Sequence, residues 1–305
     1  MNLDNLELFD VLVVGGGPAG LSAALVLGRA CRSVLLTDGP NARNDATEAM
    51  HGFLSRDGTP PAEFRRISRE QLMPYDVQVR ETPVVSILPQ PSRPFLVTLE
   101  DGARVAARRV LLATGMRDHL PEIPGFSEVY GRSAHHCPYC DGWEWRDQRV
   151  AVYAPDGGLP YAHTLRSWTP SVTLLTDGHR APSAQDVRRL FGRVGGLEII
   201  TAPVSVLRSR DGYMTAVEFD GAEPVACDAF FFHLGMEQAS GLPAALRCRM
   251  QDGFVRVDDS NLTSVPGVYA AGDLTPGPQS VALAVAEGSV VAASIHQDLW
   301  REDAR

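Results

Sequence analysis

The chain has 305 residues, with 28 Lys+Arg against 37 Asp+Glu and a formal net charge of -9. All the basic residues are arginine, and this excludes both a Schiff-base lysine and the phosphate-binding lysine of a P-loop. Net acidity without a basic tract argues against a nucleic-acid-binding protein. The composition, 44% hydrophobic and 21% charged, is typical of a globular protein with one large or two ordinary domains.

The sequence lacks the features of a targeting segment and has few cysteines, and both observations point to a cytoplasmic α/β enzyme. The segment Met1–Asp10 is acidic and lacks the basic region of a signal peptide, so we expect none. The best apolar run, Val281–Ile295, is interrupted by Glu287, and we expect no membrane span. Five cysteines are too few for a disulfide scaffold in a chain of this length.

The first chemical motif is a glycine-rich turn near the N-terminus. The apolar run Val11–Val14 leads into Gly15–Gly20, which reads G-x-G-x-x-G, and the helical stretch Leu21–Arg29 follows. A second apolar run, Ser33–Leu36, comes shortly before Asp38. Strand, glycine turn, helix, strand and acid in this order predict a dinucleotide-binding unit.

Each position of this turn has a physical role. Gly15 permits the tight turn, Gly17 lets a pyrophosphate approach the backbone, and Gly20 allows close packing of helix on strand. Free N–H groups at the helix start face the phosphates. Asp38 lies where a carboxylate accepts a hydrogen bond from a ribose hydroxyl.

The second chemical motif is the C-x-x-C formed by Cys137 and Cys140. At a helix start, for which Pro138 is suited, one sulfur gains thiolate character and the other can resolve a mixed disulfide. Zinc and a structural disulfide are the alternatives. Zinc needs a second ligand pair, which would come from the adjacent histidines or the isolated cysteines: His135, His136, Cys31, Cys227 and Cys248. We expect the three isolated cysteines to be small buried residues.

Four motifs occur in an order that resembles the low-molecular-weight thioredoxin reductases and their relatives: GGGPAG, ATG, CPYCDG and AAGD. The resemblance covers nearly the whole chain. It implies an α/β flavoprotein with two Rossmann-like dinucleotide-binding domains, the second inserted in the first. Residues 1–117 and 245–305 would form the FAD-binding domain, and residues 118–244 an NAD(P)H-binding-like domain that carries the C-x-x-C. The crossings fall at Met116–His119 and Gln238–Leu246.

The resemblance also implies FAD as the first nucleotide. The strand-like segments Val110–Gly115 and Gly267–Leu274 carry its ATG and GD motifs, and Asp273 would bind the ribityl chain. The helix that begins near Gln279 would direct its positive end at the flavin ring. The cofactor-binding residues implied are Gly15, Gly17, Pro18, Ala19, Gly20, Asp38, Arg43, Asn44, His51, Val84, Thr114, Gly115, Gly272, Asp273, Gln279, Ser280 and Val281.

The same resemblance assigns roles in the redox motif, and no metal. Cys140 would face the flavin and form the charge-transfer thiolate. Cys137 would be the interchange thiol that attacks an incoming disulfide. Asp141 would be the acid–base group that moves the proton.

The second nucleotide unit departs from the family pattern. The strand-like run Val150–Tyr153 should lead into G-x-G-x-x-A, but the chain reads Ala154-Pro155-Asp156-Gly157-Gly158-Leu159. Ala154 and Asp156 replace the two glycines, and Asp156 puts a negative charge where a pyrophosphate must approach. A shifted turn that uses Gly157 and Gly158 is the alternative.

The basic stretch that would hold the 2′-phosphate of NADPH is also incomplete. After the run Val172–Thr176, only His179 and Arg180 match the family pattern H-R-R-x-x-x-R. Ala181 replaces the second arginine, and Arg188 and Arg189 lie on a probable solvated helix face. We therefore expect NADPH to be used poorly.

Relatives without a normal NADPH site suggest three functions. Some are ferredoxin-dependent reductases, some have no assigned donor, and some are gliotoxin- and holomycin-type dithiol oxidases that pass electrons from FAD to oxygen. Asp141 favours the reductases, because the oxidases often have His there, whereas Arg43-Asn44 and His51–Gly58 resemble the oxidase loop. A flavin redox sensor without turnover is a further alternative. The partners expected are a second copy of the chain in a homodimer and a thioredoxin, a ferredoxin or a small-molecule dithiol.

Five aromatic or imidazole side chains have open roles. His135 and His136 either tune the thiols or pack as ordinary core residues. Trp143 and Trp145 either flank a substrate groove or belong to the core. Trp300, which we place beyond the last helix on a polar tail, either covers a flavin or partner or is a loosely held terminal aromatic.

Overall fold

The computed structural model describes residues 6–40, 42–90, 93–192 and 197–305, so the first five residues of the acidic segment Met1–Asp10 lie outside the described residues. The strands are β1 Leu8–Val14, β2 Val34–Thr37, β3 Val77–Arg80, β4 Val84–Gln90, β5 Arg93–Leu99, β6 Arg104–Leu112, β7 Met116–Asp118, β8 Ala134–His135, β9 Val150–Tyr153, β10 Val172–Leu175, β11 Leu197–Ile200, β12 Val204–Arg210, β13 Tyr213–Phe219, β14 Ala222–Ala226, β15 Ala229–Phe232, β16 Met236–Gln238, β17 Met250–Gln251, β18 Phe254–Val255 and β19 Val268–Ala270. The helices are α1 Pro18–Arg29, α2 Pro61–Leu72, α3 Phe126–Val129, α4 Pro138–Asp141, α5 Leu159–Leu165, α6 Ala184–Phe191, α7 Leu242–Ala245 and α8 Val281–Asp303.

The chain divides into two compact units. The first comprises Met1–Asp45, Phe53–Arg117 and Glu237–Arg305, and the second comprises Ala46–Gly52 and Asp118–Met236.

Two of these divisions differ from the boundaries expected from the sequence. The return to the first unit follows Met236 rather than residue 244, because the Gln238 side chain donates hydrogen bonds to the carbonyls of Gly253 and Leu274 in that unit. The short segment 46–52, expected in the first unit, belongs to the second.

The first unit is built on a seven-stranded sheet of order β3-β2-β1-β6-β5-β4, with β19 also paired to β6. Strands β1, β2, β3, β6 and β19 are mutually parallel, whereas β4 and β5 form an antiparallel extension. Strand β2 and the apolar part of β1, Val11–Val14, are buried, as is typical of parallel sheets covered on both faces. The glycine turn between β1 and α1 therefore lies at the carboxyl edge of the sheet, where α/β proteins bind ligands.

Helices α1 and α8 pack closely in the first unit. Gly288 on α8 lies so near α1 that a Cβ there would be 2.1 Å from the Ala19 carbonyl oxygen. The hydroxyl of Ser22 also donates to the carbonyl of Val285 at 2.7 Å. Because α8 presses on the first turn of α1, the two helix starts are held together in this unit.

The second unit contains a five-stranded parallel sheet of order β11-β10-β9-β15-β8 and an antiparallel sheet of β12, β13 and β14. Strand β15 contributes three phenylalanines that are at most 1% exposed and fill both faces of the parallel sheet: Phe230, Phe231 and Phe232. Strand β8 leads directly into the C-x-x-C segment. The parallel sheet thus supports the redox motif at its edge.

The structure differs from the sequence predictions at Trp300 and Cys31. We expect Trp300 beyond the last helix, but it lies within α8, which continues to Asp303 because its charged last turn pairs with Arg32 and with Arg108 of β6. Cys227 and Cys248 are buried as expected, but Cys31 is exposed because it ends the turn after α1 with a positive φ of 58°. Within the described ranges, no helix combines the length and apolarity that crossing a bilayer requires.

Candidate active site

The glycine turn of the first unit is closely packed on one side and open on the other. Gly15 has a φ of +112°, and a Cβ there would lie 2.3 Å from the Ala113 carbonyl oxygen. A Cβ on Gly20 would lie 1.9 Å from the Gly15 carbonyl oxygen, whereas a Cβ on Gly17 would meet no heavy atom within 4 Å. Gly17 also begins α1 without a side-chain cap, so the N–H groups of its first turn are available to an anion.

Asp38 lies against this turn, as the sequence predicts. Its carboxylate accepts a hydrogen bond from the Gly16 N–H at 2.9 Å and is paired with Arg69 at 2.7 Å. Pro83, which precedes the predicted contact residue Val84, packs near Gly39 beside Asp38. Sequence reasoning missed Arg69, because an arginine on an amphipathic helix resembles any solvated charge.

A second group of predicted residues meets at the start of α8. The Arg43 guanidinium donates to the Asp273 carboxylate at 2.8 Å and to the Gln279 side-chain oxygen at 2.6 Å. Gln279 in turn donates to the Asp273 carbonyl at 3.1 Å, and Ser280 caps α8 by accepting from the Leu283 N–H. The helix therefore starts at Val281, two residues after the predicted start.

The turn before Asp273 has a partner that was not predicted. Glu287 of α8 accepts hydrogen bonds from the Gly272 N–H at 2.7 Å and from the Thr275 hydroxyl at 3.2 Å. The sequence does single out this residue, because Glu287 is the carboxylate that interrupts the apolar run Val281–Ile295. Position 272 also requires glycine, because a Cβ there would lie 2.9 Å from the Ala19 Cβ.

These residues fit FAD. The Thr114 hydroxyl, in the ATG motif, is buried and has no hydrogen-bond partner among the described residues, so a bound polar group would satisfy it. The glycine turn and the α1 start suit a pyrophosphate, Asp38 suits a ribose, and Asp273 suits the ribityl hydroxyls. Asn44 is also near, bonded through its side-chain oxygen to Arg65 at 3.3 Å.

The redox pair lies in the second unit as a disulfide between Cys137 and Cys140. Cys137 is the N-cap of α4, and its sulfur accepts from the Cys140 N–H at 3.2 Å. Pro138 occupies the first turn, as predicted. Both sulfurs are thus held at a helix start, where backbone N–H groups stabilise a thiolate.

Asp141 closes the same turn and lies beside a buried histidine. Its Oδ1 lies 3.3 Å from His135 Nδ1, and His135 Nε2 accepts from the Trp145 indole N–H at 3.1 Å. Burial and then the Glu144 carboxylate raise the pKa of Asp141 to about 7, while burial lowers the pKa of His135 to about 4. Asp141 can therefore exchange a proton near neutral pH while the imidazole stays neutral.

Two further histidines border this group. His51, predicted among the flavin contacts, belongs to the second unit, where its Nε2 lies 3.6 Å from the Glu144 carboxylate. His136 lies 3.7 Å from the Asp118 carboxylate, and its backbone carbonyl accepts from the Tyr161 hydroxyl at 2.8 Å. His51 thus belongs to the unit of the redox motif, whereas the other predicted flavin residues belong to the first unit.

The two tryptophans after the redox motif differ. Trp145 is half-buried in the core of the second unit and bonded to His135, so the packing alternative holds for it. Trp143 is 62% exposed, and the Arg146 guanidinium lies 4.3 Å from its ring centre. Tyr139, between the cysteines, is 80% exposed. Exposed aromatics therefore flank the disulfide.

The turn after β9 does not reproduce the turn after β1. Ala154 is buried and exposed Asp156 follows it; the positive φ, +108°, occurs at Gly157, whose N–H bonds back to the Ala154 carbonyl. Gly158 then begins a helix of only seven residues. The turn therefore uses Gly157 and Gly158, like the shifted turn that is the alternative, but its Gly157 N–H is already bonded within the turn.

Asp177, the acid after β10, has different hydrogen-bond partners from those of Asp38, the acid after β2. Asp177 accepts from the Val204 N–H at 2.8 Å and from the Tyr153 hydroxyl at 2.5 Å. Beyond it, His179 bonds to the carbonyls of its own turn, and Arg180 is exposed. Arg188 and Arg189 lie on the exposed face of α6, as the sequence predicts.

A redox disulfide beside an ionisable carboxyl, on an α/β fold with two dinucleotide-binding-like domains, defines an FAD-dependent thiol–disulfide oxidoreductase. The family of pyridine nucleotide-disulphide oxidoreductases matches residues 9–288. The chain is similar to "Thioredoxin reductase tcpT" of Claviceps purpurea, 32% identical over 93% of this chain and 92% of the relative.

Two solved structures agree with that class. A putative thioredoxin reductase, TrxB, from Bacillus anthracis is 34% identical with a TM-score of 0.91, over 97% of this chain and 99% of the other. HlmI is 36% identical with a TM-score of 0.90, over 97% of this chain and 94% of the other. The chain belongs to the pyridine nucleotide-disulphide oxidoreductase family.

Proposed function

We propose that this protein exchanges electrons between FAD, the Cys137–Cys140 pair and a protein or small-molecule disulfide, and that NADPH is a poor electron donor. The observation that carries the proposal is the disulfide at the start of α4 with Asp141 in the same turn. FAD, when bound and reduced by an electron donor, would supply the two electrons that open the disulfide. Cys137 then attacks the incoming disulfide, Cys140 resolves it, and Asp141 moves the proton.

The donor part of the proposal is supported by the second nucleotide unit. Asp156 puts a carboxylate into the turn that would face a pyrophosphate, and two unit charges 4 Å apart repel by roughly 1 to 4 kcal/mol between water and a protein surface. The turn's Gly157 N–H is used internally, and Ala181 replaces an arginine expected beside Arg180. Ferredoxin or another reduced protein is the donor class left by these changes.

An anaerobic titration tests the donor. The FAD-loaded protein should keep its flavin absorption band for minutes in excess NADPH, whereas dithionite or reduced ferredoxin should bleach it. Stoichiometric bleaching by NADPH would refute the donor proposal while leaving the redox pair intact. Cys140→Ser tests the roles of the sulfurs, since it should abolish any long-wavelength thiolate–flavin band, and Cys137→Ser should preserve one.

A dithiol oxidase is the second candidate. Arg43-Asn44 and the segment His51–Gly58 support it by their resemblance to the oxidase loop, and His51 lies with Glu144 in the unit of the redox pair. Oxygen consumption with added dithiols separates the two: an oxidase consumes one oxygen per dithiol, a reductase transfers electrons from an artificial donor to a disulfide, and a sensor does neither. Thioredoxin-like proteins are the partners that the relatives suggest, and a homodimer and a cytoplasmic location remain predictions.

A further inference from the structure

Arg69 of α2 lies between two carboxylates at the carboxyl edge of the first unit's sheet. Its Nη2 donates to Asp38 Oδ2 at 2.7 Å, and its Nη1 donates to the Glu81 carboxylate at 2.6 Å. Strands β2 and β3 are parallel neighbours, with Thr37 opposite Arg80 at their ends. Asp38 and Glu81 are the next residues of these two strands, so the guanidinium offsets the repulsion between two adjacent negative charges.

The Asp38 carboxylate has little freedom to turn. Its Oδ1 accepts from the Gly16 N–H at 2.9 Å and from the Gly39 N–H at 3.0 Å. Its Oδ2 faces the glycine turn so closely that a Cβ on Gly16 would lie 2.3 Å from it. Because Arg69 also holds Oδ2, the two glycine N–H groups and the guanidinium together fix the plane of the carboxylate.

These bonds limit how many ligand hydroxyls Asp38 can accept. A carboxylate has about four lone-pair sites, two on each oxygen. Within the described part of the chain, both sites of Oδ1 and one site of Oδ2 have donors, so one site of Oδ2 is left for a ligand. A ribose presents two neighbouring hydroxyls, and a carboxylate with more open sites could accept from both. Asp38 in this arrangement accepts from one.

The stability of the fold does not account for the position of Arg69. Its Nε–H is buried and has no acceptor among the residues that the structure describes, and a buried donor without an acceptor lowers stability. Its ion pairs are partly exposed to solvent and contribute little. The bond from Arg69 to Asp38 therefore has its main consequence at the cofactor site.

We propose that Arg69 is the positioning residue of Asp38, and that by holding Oδ2 it makes Asp38 accept a hydrogen bond from a single hydroxyl of the adenosine ribose of FAD. Glu81 binds the other end of the guanidinium and keeps it directed at Asp38. The inference rests on FAD as the cofactor. It does not depend on the electron donor or on the roles of the two sulfurs.

The direct test compares FAD with two analogues whose adenosine ribose lacks either the 2′- or the 3′-hydroxyl. Each is titrated into the wild-type protein freed of flavin, and flavin fluorescence reports binding. Removing one of the hydroxyls should lower the affinity about 10- to 100-fold, the value of one hydrogen bond to a charged group, and removing the other should lower it less than about threefold. Equal losses for the two analogues, or no loss for either, overturn the proposal.

Variants of Arg69 test whether this residue sets the ratio between the two analogues. Arg69→Met keeps an apolar stem in place but frees the second site of Oδ2, so the ratio should fall to about threefold or less. Arg69→Lys keeps one charged donor for Asp38 and should restore most of the wild-type ratio. The control is Arg66→Met on the same helix, whose guanidinium pairs with Glu63 and Glu70 and should leave the ratio unchanged.

The ratio separates positioning from a merely structural role. Urea denaturation of the flavin-free variants shows whether they fold, and the wild-type comparison needs no variant at all. If Arg69→Met lowers the affinity for FAD and for both analogues by the same factor, Arg69 only supports the fold and the proposal is wrong. A flavin that binds with the expected ratio but never exchanges electrons with the cysteines would refute the proposed function and leave the role of Arg69 standing.

Discussion

The two strand–turn–helix units of this chain share one backbone plan and differ in their turns. In the first, Gly15 supplies the positive φ at the end of β1, and Gly17 leaves the helix start open. In the second, the positive φ comes at Gly157, after Ala154 and Asp156, and the turn bonds to itself. In both units the strands that flank the turn are parallel, and the difference lies in a few turn residues.

The acids after the second strands differ in the same way. Asp38 accepts from Gly16 and so lies against the turn that would hold a pyrophosphate. Asp177 accepts from Val204 and Tyr153 and is thereby bonded to the start of β12 and to the end of β9. Recognition of a dinucleotide thus depends on where the turn and the acid direct their polar groups, and the strand order alone does not supply it.

The largest effect is expected for Gly20→Ala. Its Cβ would lie 1.9 Å from the Gly15 carbonyl oxygen, so the turn must move. We expect the free energy of unfolding to fall by about 3 kcal/mol, the upper range for overpacking, with loss of bound flavin. Urea denaturation and flavin absorbance measure the two effects. A flavin-loaded variant of wild-type stability would show that the turn is not closely packed.

Gly17→Ala separates cofactor binding from folding in the same turn. No heavy atom lies within 4 Å of the new Cβ, and we expect the apoprotein to lose less than about 1 kcal/mol, the cost of alanine at a helix N-cap. The methyl group nevertheless occupies the approach of a pyrophosphate. FAD affinity should fall roughly 10- to 100-fold, about 1.4 to 2.8 kcal/mol, measured by fluorescence on titrating the apoprotein. Unchanged FAD affinity would place the pyrophosphate elsewhere.

In the second unit, substitutions can instead make the turn after β9 more like the turn after β1. Ala154→Gly with Asp156→Gly removes a side chain and a negative charge from the turn, and we expect NADPH to bleach the flavin about tenfold faster under anaerobic conditions. Removing roughly 1.4 kcal/mol of repulsion suffices for that factor. Asp147→Gly, a turn residue in the same unit, is the control. If only the addition of Ala181→Arg accelerates bleaching, the missing arginine is the dominant defect.

The sequence predicted the fold because it depends on local patterns. Buried parallel strands are apolar runs, and a dinucleotide turn needs glycines at fixed spacing. The run Val150–Tyr153 is β9 as expected, and Cys137 caps α4 with Pro138 in its first turn. These features are determined within a few neighbouring residues.

What the sequence did not predict depends on residues far apart in the chain. The ion pair of Arg69 with Asp38 spans 31 positions, and nothing local distinguishes this arginine from others on α2. The assignment of His51 to the second unit likewise depends on Glu144, far along the chain. Trp300 was misplaced because the polar last turn of α8 resembles a tail until its acids are seen to pair with arginines of β6.

The smallest effect is expected for Tyr153→Phe, which removes the hydroxyl bonded to Asp177. The partly exposed pair should contribute about 1 kcal/mol to the free energy of unfolding at pH 8. Burial, and then the bond to Asp177, raise the pKa of Tyr153, so the folded state retains a phenol proton that the unfolded chain loses above about pH 10. The stability contributed is therefore present below pH 10 and lost as the pH rises, and the gap between wild type and variant should close in alkaline urea titrations. Tyr213→Phe, an exposed tyrosine of the same unit, is the control. A gap that widens above pH 10 would mean that Asp177 does not hold the Tyr153 proton and that the acid is free to meet a ribose.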